Sequence, residues 1–456
     1  MNMPPVYLAE FNMGYNGTEN FAKGKRFGFF PAVSLGWVIS EEKFFPKNNI
    51  VKYLKVRGSY GEVGNDQIGG DRFLYLPSSY GAASDSGVNK YNFGLASNPY
   101  TSLMIVENKI GNPDLTWEKA KKMNVGVDIN LFNNCLTASF DIFKEKRNNI
   151  LANRSTSPMI IGANLPAYNF GEMENRGWEM DLNFRHHIQD FHYWARFNYS
   201  FARNEIIYMD EVQKRYDYQM TTGRRKNQFF GLIFDGYYNS WEEINALDRP
   251  KSSWSGNQLQ PGDVKYVDVN RDGVIDDYDM VPIGYTPVPE IIYGFSFGAQ
   301  YKGFDFSILF QGADNVSIKY FGRSMWPFAK GEESAKSLIK ERWTQERYEA
   351  GEKITFPRLS LNPNGETDHN YRPSTLWIRD ASYLRLKNLE VGYTFTGGFV
   401  KRLNLNSVRL YFNGSNLFTW TDVVDLDPEA PSRSGNVEIN TYPLQKVYNI
   451  GLNINF

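Results

Sequence analysis

The sequence predicts an all-β protein, an antiparallel transmembrane β-barrel wall with long loops on one side. Three observations carry that prediction. Apolar and polar side chains alternate with a period of two in about twelve segments. The connections between those segments sort into short and long by parity. The final strand, Val447 to Phe456, stops on an aromatic residue with no polar tail.

In that last segment Tyr448, Ile450, Leu452, Ile454 and Phe456 share one face, while Val447, Asn449, Gly451, Asn453 and Asn455 share the other. In a soluble sandwich such an apolar face meets a second sheet; in an outer-membrane barrel it meets lipid and the polar face lines the lumen. Termination at the lipid-facing phase favours the barrel.

The other elements follow in chain order. Strands are expected near Val6–Tyr15, Phe29–Ile39 and Lys52–Gly61. Met123–Leu131 and Leu136–Ile142 pair around Asn133-Asn134, and Gly177–Arg185 pairs with Tyr193–Asn204 around a His-rich turn. Ile291–Tyr301 and Phe304–Phe310 form a hairpin about Lys302-Gly303. Leu384–Phe395, Ser407–Leu417 and Val447–Phe456 complete the ladder. Between them, Glu332 to Ala350 is the best helix candidate, and Asn227–Tyr238 is assigned to an extracellular loop hairpin because a thirteenth strand there would break the parity. The short connections (Ser40–Val51, Asn133-Asn134, His186–Phe191, Lys302-Gly303, Thr396–Asn404) all fall on the side expected to be periplasmic. A soluble sandwich has no reason to sort its loops in this way.

Composition agrees. Among 456 residues no run of eighteen apolar residues occurs, so no transmembrane helix is expected. A mean hydropathy of −0.49 suits a barrel, since only alternate residues of short segments face lipid. The net charge of −1 excludes general nucleic-acid attraction. Cys135 is the sole cysteine, which excludes an intrachain disulfide. The first residues lack a basic region followed by an apolar core, so no signal peptide is expected.

Eight stretches, in order along nearly the whole chain, resemble the C-terminal region of SusC/RagA-family TonB-linked outer-membrane proteins. They are FAKGKRFGFFPAVSLGWVISEEKFF, LKVRGSYGEVGND, NPDLTWEKAKKMNVGVD, RGWEMDLNF, PGDVKYVDVNRDGVIDDYD, YKGFDFSILFQG, LWIRDASYLRLKNLEVGYTF and LYFNGSNLFTW. The resemblance implies that residues 1–456 correspond to about the last twelve strands of a 22-strand TonB-dependent transporter barrel, with plug, TonB box and first strands absent. It also implies a cell outer-membrane location, uptake of glycan or peptide cargo, and a SusD-like surface lipoprotein as partner. TonB itself would act only through the missing N-terminal part.

Within the long extracellular loop 237–289, Asp268, Asn270, Asp272, Val274, Asp276 and Asp279 occupy positions 1, 3, 5, 7, 9 and 12 of an EF-hand-type loop with Gly273 at position 6. A structural calcium ordering that loop is expected; Asp at position 12 in place of Glu weakens the ligand set. The alternative is a loop of Asx-turns that merely ends strands. A dockerin would need two such repeats between helices, and only one is present.

Loop aromatics Tyr237, Tyr238, Trp241, Trp254, Trp326 and Phe328 can stack on sugar rings or seal a partner interface. Arg323, Arg379 and Arg385 near the mouth can bind cargo, although pairing with lumen carboxylates is favoured. His186, His187 and His192 crowd one turn without a zinc-site spacing and read as a polar turn. No hydrolase, nucleotide-binding or zinc-protease motif occurs, so no enzyme activity is expected. A non-functional remnant and a smaller passive outer-membrane pore or adhesin stand as alternatives to the importer.

Overall fold

The computed structural model describes residues 6–67, 72–76, 81–82, 90–95, 100–103, 105–106, 110–154, 165–254, 259–320, 326–328, 337–360, 368–424, 426–429, 436–437 and 443–456. Twelve strands form one antiparallel wall in strict sequence order. They are β1 (Tyr7–Gly17), β2 (Phe27–Val38), β3 (Val51–Asn65), β4 (Glu118–Leu131), β5 (Leu136–Ala152) and β6 (Tyr168–Ile188). The second half comprises β7 (Phe191–Tyr208), β8 (Ile291–Tyr301), β9 (Phe304–Asp314), β10 (Tyr383–Phe395), β11 (Ser407–Thr421) and β12 (Val447–Asn455). The expected ladder is therefore present. Several strands run well past the alternating core that marked them, above all β5 and β6, whose ends on the side of the long connections are charged.

Register carries one apolar face around the whole wall. Phe11 lies opposite Val33, Val33 opposite Tyr60, and Tyr60 opposite Met123. Further round, Ile142 meets Trp178, Phe295 meets Phe310, Phe412 meets Ile450, and Leu410 meets Leu452. Side chains directly opposite in an antiparallel pair project to the same side, so this face is continuous. Its residues are widely exposed, with Ile450 80% and Phe11 65% accessible, as an outer surface made for lipid requires.

The short turns are built for reversal. Lys302 (φ 45°) and Gly303 (φ 91°) both take positive φ between Tyr301 and Phe304, the backbone that a two-residue hairpin demands. Phe132, Asn133 and Asn134 also take positive φ between β4 and β5.

Two expectations are corrected. Glu332–Ala350 is not one helix: its described part holds a 3-10 turn at Ser337–Glu341 and a five-residue helix at Gln345–Glu349. Between them Trp343 donates its N–H to the Phe356 carbonyl, so the chain is extended there. Thr344 then restarts the helix as N-cap, accepting from the Arg347 N–H. Asn227–Tyr238 lies outside the wall as expected, but it is not a hairpin on itself. Phe230–Gly231 pairs with Val281–Pro282, and Phe234–Tyr237 pairs with Val264–Tyr266.

Candidate functional site

The long connections do not hang as separate loops. Leu232, Tyr237 and Val264 from residues 209–290 pack with Trp343, Phe356 and Trp377 from residues 315–382, and Val423 of the next long connection joins the same core. All three connections leave the wall on one side, so together they make a folded cap over the mouth.

A polar network welds the first two connections. Asn370 Nδ2 donates to Asp263 Oδ1 at 2.8 Å, its Oδ1 accepts from the Val264 N–H, and its carbonyl accepts from Trp377 Nε1. Arg358 closes on the same Asp263 at 2.6 Å. His369 Nε2 lies 2.8 Å from the Val264 carbonyl, which can only accept, so that nitrogen carries the proton. Nδ1 is then the acceptor for the Ser252 hydroxyl at 2.9 Å. Burial holds this imidazole below its ordinary value, in keeping with a neutral ring. Unlike the crowded turn histidines, a lone His inside Asp368-His-Asn-Tyr371 carries no spacing signal in the sequence.

The third connection is anchored into the wall by charge. Arg385 of β10 is 2% exposed and reaches Asp427 at 2.6 Å and Glu429 at 2.5 Å. Lys387, Tyr383 and Gln311 also meet Glu429. Burial pushes the Asp427 carboxyl up, but Arg385 and the N–H groups of Glu429 and Leu444 outweigh it and hold it below the usual range. The expectation that mouth arginines pair is met at Arg385. Arg323 lies outside the described residues.

Lower in the lumen two further arginines are paired across three strands. Arg57, Gly126 and Asp141 stand in register on β3, β4 and β5, and the guanidinium passes over the glycine to Asp141 at 2.6 Å and Asp128 at 3.1 Å. On β9 and β10 Asp305 and Gly392 stand in register, and Arg409 of β11, which lies opposite Thr394, extends its guanidinium over that glycine to Asp305 at 2.5 Å and to Glu390 at 2.6 Å. A groove of about 430 Å³ opens beside Arg57, lined by Leu8, Glu10, Leu35, Lys55 and Asn124 among others.

The aromatics separate into two groups. Tyr237 and Tyr238 are 8% and 7% exposed and their rings are taken up in packing, which corrects their expected role as cargo contacts. Trp241 is exposed at the start of a short helix, Trp241–Asn245. Trp254 is half-buried with the Arg372 guanidinium 4.2 Å from its ring, and Trp326 is half-buried 5.9 Å from Tyr371. Phe328 is described and takes φ 61°.

In the calcium-like loop the acids serve the loop's own backbone. Asp268 accepts from the Arg271 and Gly273 N–H groups, Asn270 from Asp272, Asp272 from Val274, and Asp276 from Tyr278. Asp279, wholly buried, accepts from Val269, Asn270 and Asp276. Among the described residues no three His, Cys, Asp or Glu side chains stand in position to hold a metal. These bonds are of the Asx-turn kind, and Asp279, committed to three N–H groups, departs most from a bidentate ligand's role. Tyr448, Ile450, Leu452 and Ile454 lie on the outward face of β12, and Phe456 follows it, 86% exposed.

An antiparallel wall with a lipid-type outer face, a salt-bridged lumen and a folded cap on one side defines an outer-membrane β-barrel protein. The family model described as "TonB dependent receptor-like, beta-barrel" matches residues 10–417, and the chain belongs to that family. It is 28% identical to TonB-dependent receptor P3 of Formosa agariphila, over 99% of this chain and 44% of that protein. It is likewise 28% identical to TonB-dependent receptor SusC of Bacteroides thetaiotaomicron, over 99% of this chain and 42% of that protein. The chain therefore spans less than half the length of these relatives. Among solved structures, the RagAB peptide transporter superposes with a TM-score of 0.74 at 23% identity, over 99% of this chain and 46% of that one.

Proposed function

We propose that the chain forms the C-terminal wall and loop cap of a TonB-dependent importer for oligosaccharides or peptides, working with a SusD-like surface lipoprotein and without catalytic chemistry. The observation that carries this reading is the cap. Three long connections share one core over a polar lumen, which is the construction of a gated mouth rather than an open pore. Coupling to TonB belongs, in this reading, to portions of the importer outside these residues. Trp241, Trp254, Trp326, Phe328 and Arg323 are the proposed cargo or partner contacts; the first is the exposed ring, and the second already carries a guanidinium on its face. The name of the RagAB neighbour supports a peptide cargo as one of the two classes.

The test is affinity capture of the protein from outer membranes, followed by uptake of labelled oligosaccharides and oligopeptides in cells with and without it. Co-capture of a surface lipoprotein and loss of one cargo class on deletion are expected. Uptake unchanged for both classes would overturn the proposal.

We further propose that calcium orders the loop 268–279. Asp268, Asn270, Asp272 and Asp276 keep lone pairs beyond those used by backbone N–H groups, and the Val274 carbonyl would complete the oxygen set.

A further inference from the structure

The outward apolar face ends unevenly on the extracellular side. On β4, β5, β6 and β7 its last residues are Met123, Ile142, Trp178 and Phe201, and the next outward position on each strand is a cation: Lys121, Lys144, Arg176 and Arg203. The equivalent position is acidic on β3, Glu62, and a glycine on β9, Gly312. The basic boundary is therefore confined to one sector of the wall.

Within it, like charges face one another. Lys144 is directly opposite Arg176, Arg176 directly opposite Arg203, and one step outward Lys121 is directly opposite Lys146. Like charges in directly opposed positions destabilise a sheet, so this row is held against local cost. Acids one step further out offset part of it: Lys144 meets Glu174 and Lys146 meets Glu172, each at 2.9 Å. Lys119 and Lys121 approach Glu62 only at 3.8 and 3.9 Å. Arg203 is bound to Glu290 at 2.8 Å. Arg176, in the centre, is exposed and has no ion-pair or hydrogen-bond partner among the described residues.

Directly beneath lies an aromatic shelf. Trp178 stacks on Tyr199 at 4.7 Å and meets Phe140 at 5.9 Å. Such rings sit at the headgroup level of a membrane. Arg176 stands one strand step above a lipid-facing surface, within reach of the headgroups of membrane-resident ligands. Guanidinium and ammonium groups at this height match phosphate.

We propose that Arg176, with Lys144 and Lys121 beside it, binds the phosphate of an anionic glycolipid headgroup in the outer leaflet, with Trp178 and Tyr199 against its sugar and acyl boundary. The phosphate would sit over Arg176, flanked by Lys144 and Lys121. This site is on the outside of the wall and is independent of the cargo path.

The experiment uses the full chain extracted from outer membranes in a non-ionic detergent and exposed to mixed micelles containing bisphosphorylated lipid A or its dephosphorylated form. Retained lipid is measured by mass spectrometry. The wild type should retain the phosphorylated form about tenfold over the other at low salt, with the preference shrinking at high salt. The Lys144→Gln, Arg176→Gln double variant should lose the preference, and Arg176→Lys on its own should keep most of it. Lys122→Gln, on the lumen face of β4, should leave it intact. Heat-modifiable gel mobility shows that each variant is folded. Equal retention of the two lipids by the wild type, an undiminished preference in the folded double variant, or full displacement by inorganic phosphate alone would overturn the assignment.

Discussion

Gly126 and Gly392 show how a single hydrogen in place of a side chain positions charge in the lumen. A Cβ at Gly126 would stand 2.6 Å from Asp141 and 2.7 Å from Arg57; one at Gly392 would stand 2.5 Å from Asp305 and 2.7 Å from Arg409. Each glycine is the gap through which an arginine reaches two strands away. Gly126→Ala and Gly392→Ala should each displace the ion pair and destabilise the wall by about 1–2 kcal/mol, read as a lower temperature of gel-mobility change. Gly397→Ala, with nothing within 4 Å of the added carbon, should change little. His369 carries a pH dependence of definite sign. Its folded value is depressed below 6.5, so the unfolded segment takes up a proton near that pH while the folded one does not. Stability is present above about 6.5 and is lost as pH falls below it. Hydrogen exchange in residues 252–266 should accelerate on acidification through that value, and His369→Gln should flatten the dependence. None of these residues was legible from the sequence. Their meaning lies in who stands across the sheet or across the cap, and neither register nor cap packing is written locally.

At the scale of elements, the alternating strands and tight turns were legible because each is decided within a few residues. Lys302-Gly303 and Asn133-Asn134 supply the backbone their hairpins need. The helix expected over Glu332–Ala350 was not a local matter, because the Phe356 segment holds Trp343 extended and divides it. Strand ends past the apolar core, as on β5 and β6, were also missed, since charged residues carry no alternation signal. The connection after β11 owes its position to Arg385. Arg385→Ala would leave Asp427 and Glu429 without their cation and should cost about 3–5 kcal/mol in the anchoring of that connection; limited proteolysis within residues 422–446 should accelerate markedly. For the loop 268–279, added calcium should protect its amides from exchange and raise its resistance to protease. An Asp268→Ala, Asp272→Ala double variant should lose that response, and a wild type indifferent to calcium would remove the proposed ion.

For the whole molecule, the sequence by itself determined the wall: the number of strands, their order, the face that meets lipid, and the side on which the long connections gather. Those follow from a period of two and from loop-length parity, both of which survive in one dimension because every wall strand pairs with its neighbour in the chain. The tertiary structure alone decided the cap. There, partners are far apart in sequence, as Val264 and Asn370 are, and burial converts Tyr237 and Tyr238 from candidate cargo contacts into core. It also decided the partners of the charges, giving Arg385 Asp427 and Glu429 and setting Arg176 between Lys144 and Arg203 at the lipid boundary. A pattern along the chain fixes which way a side chain points; only the assembled sheet fixes what it meets there.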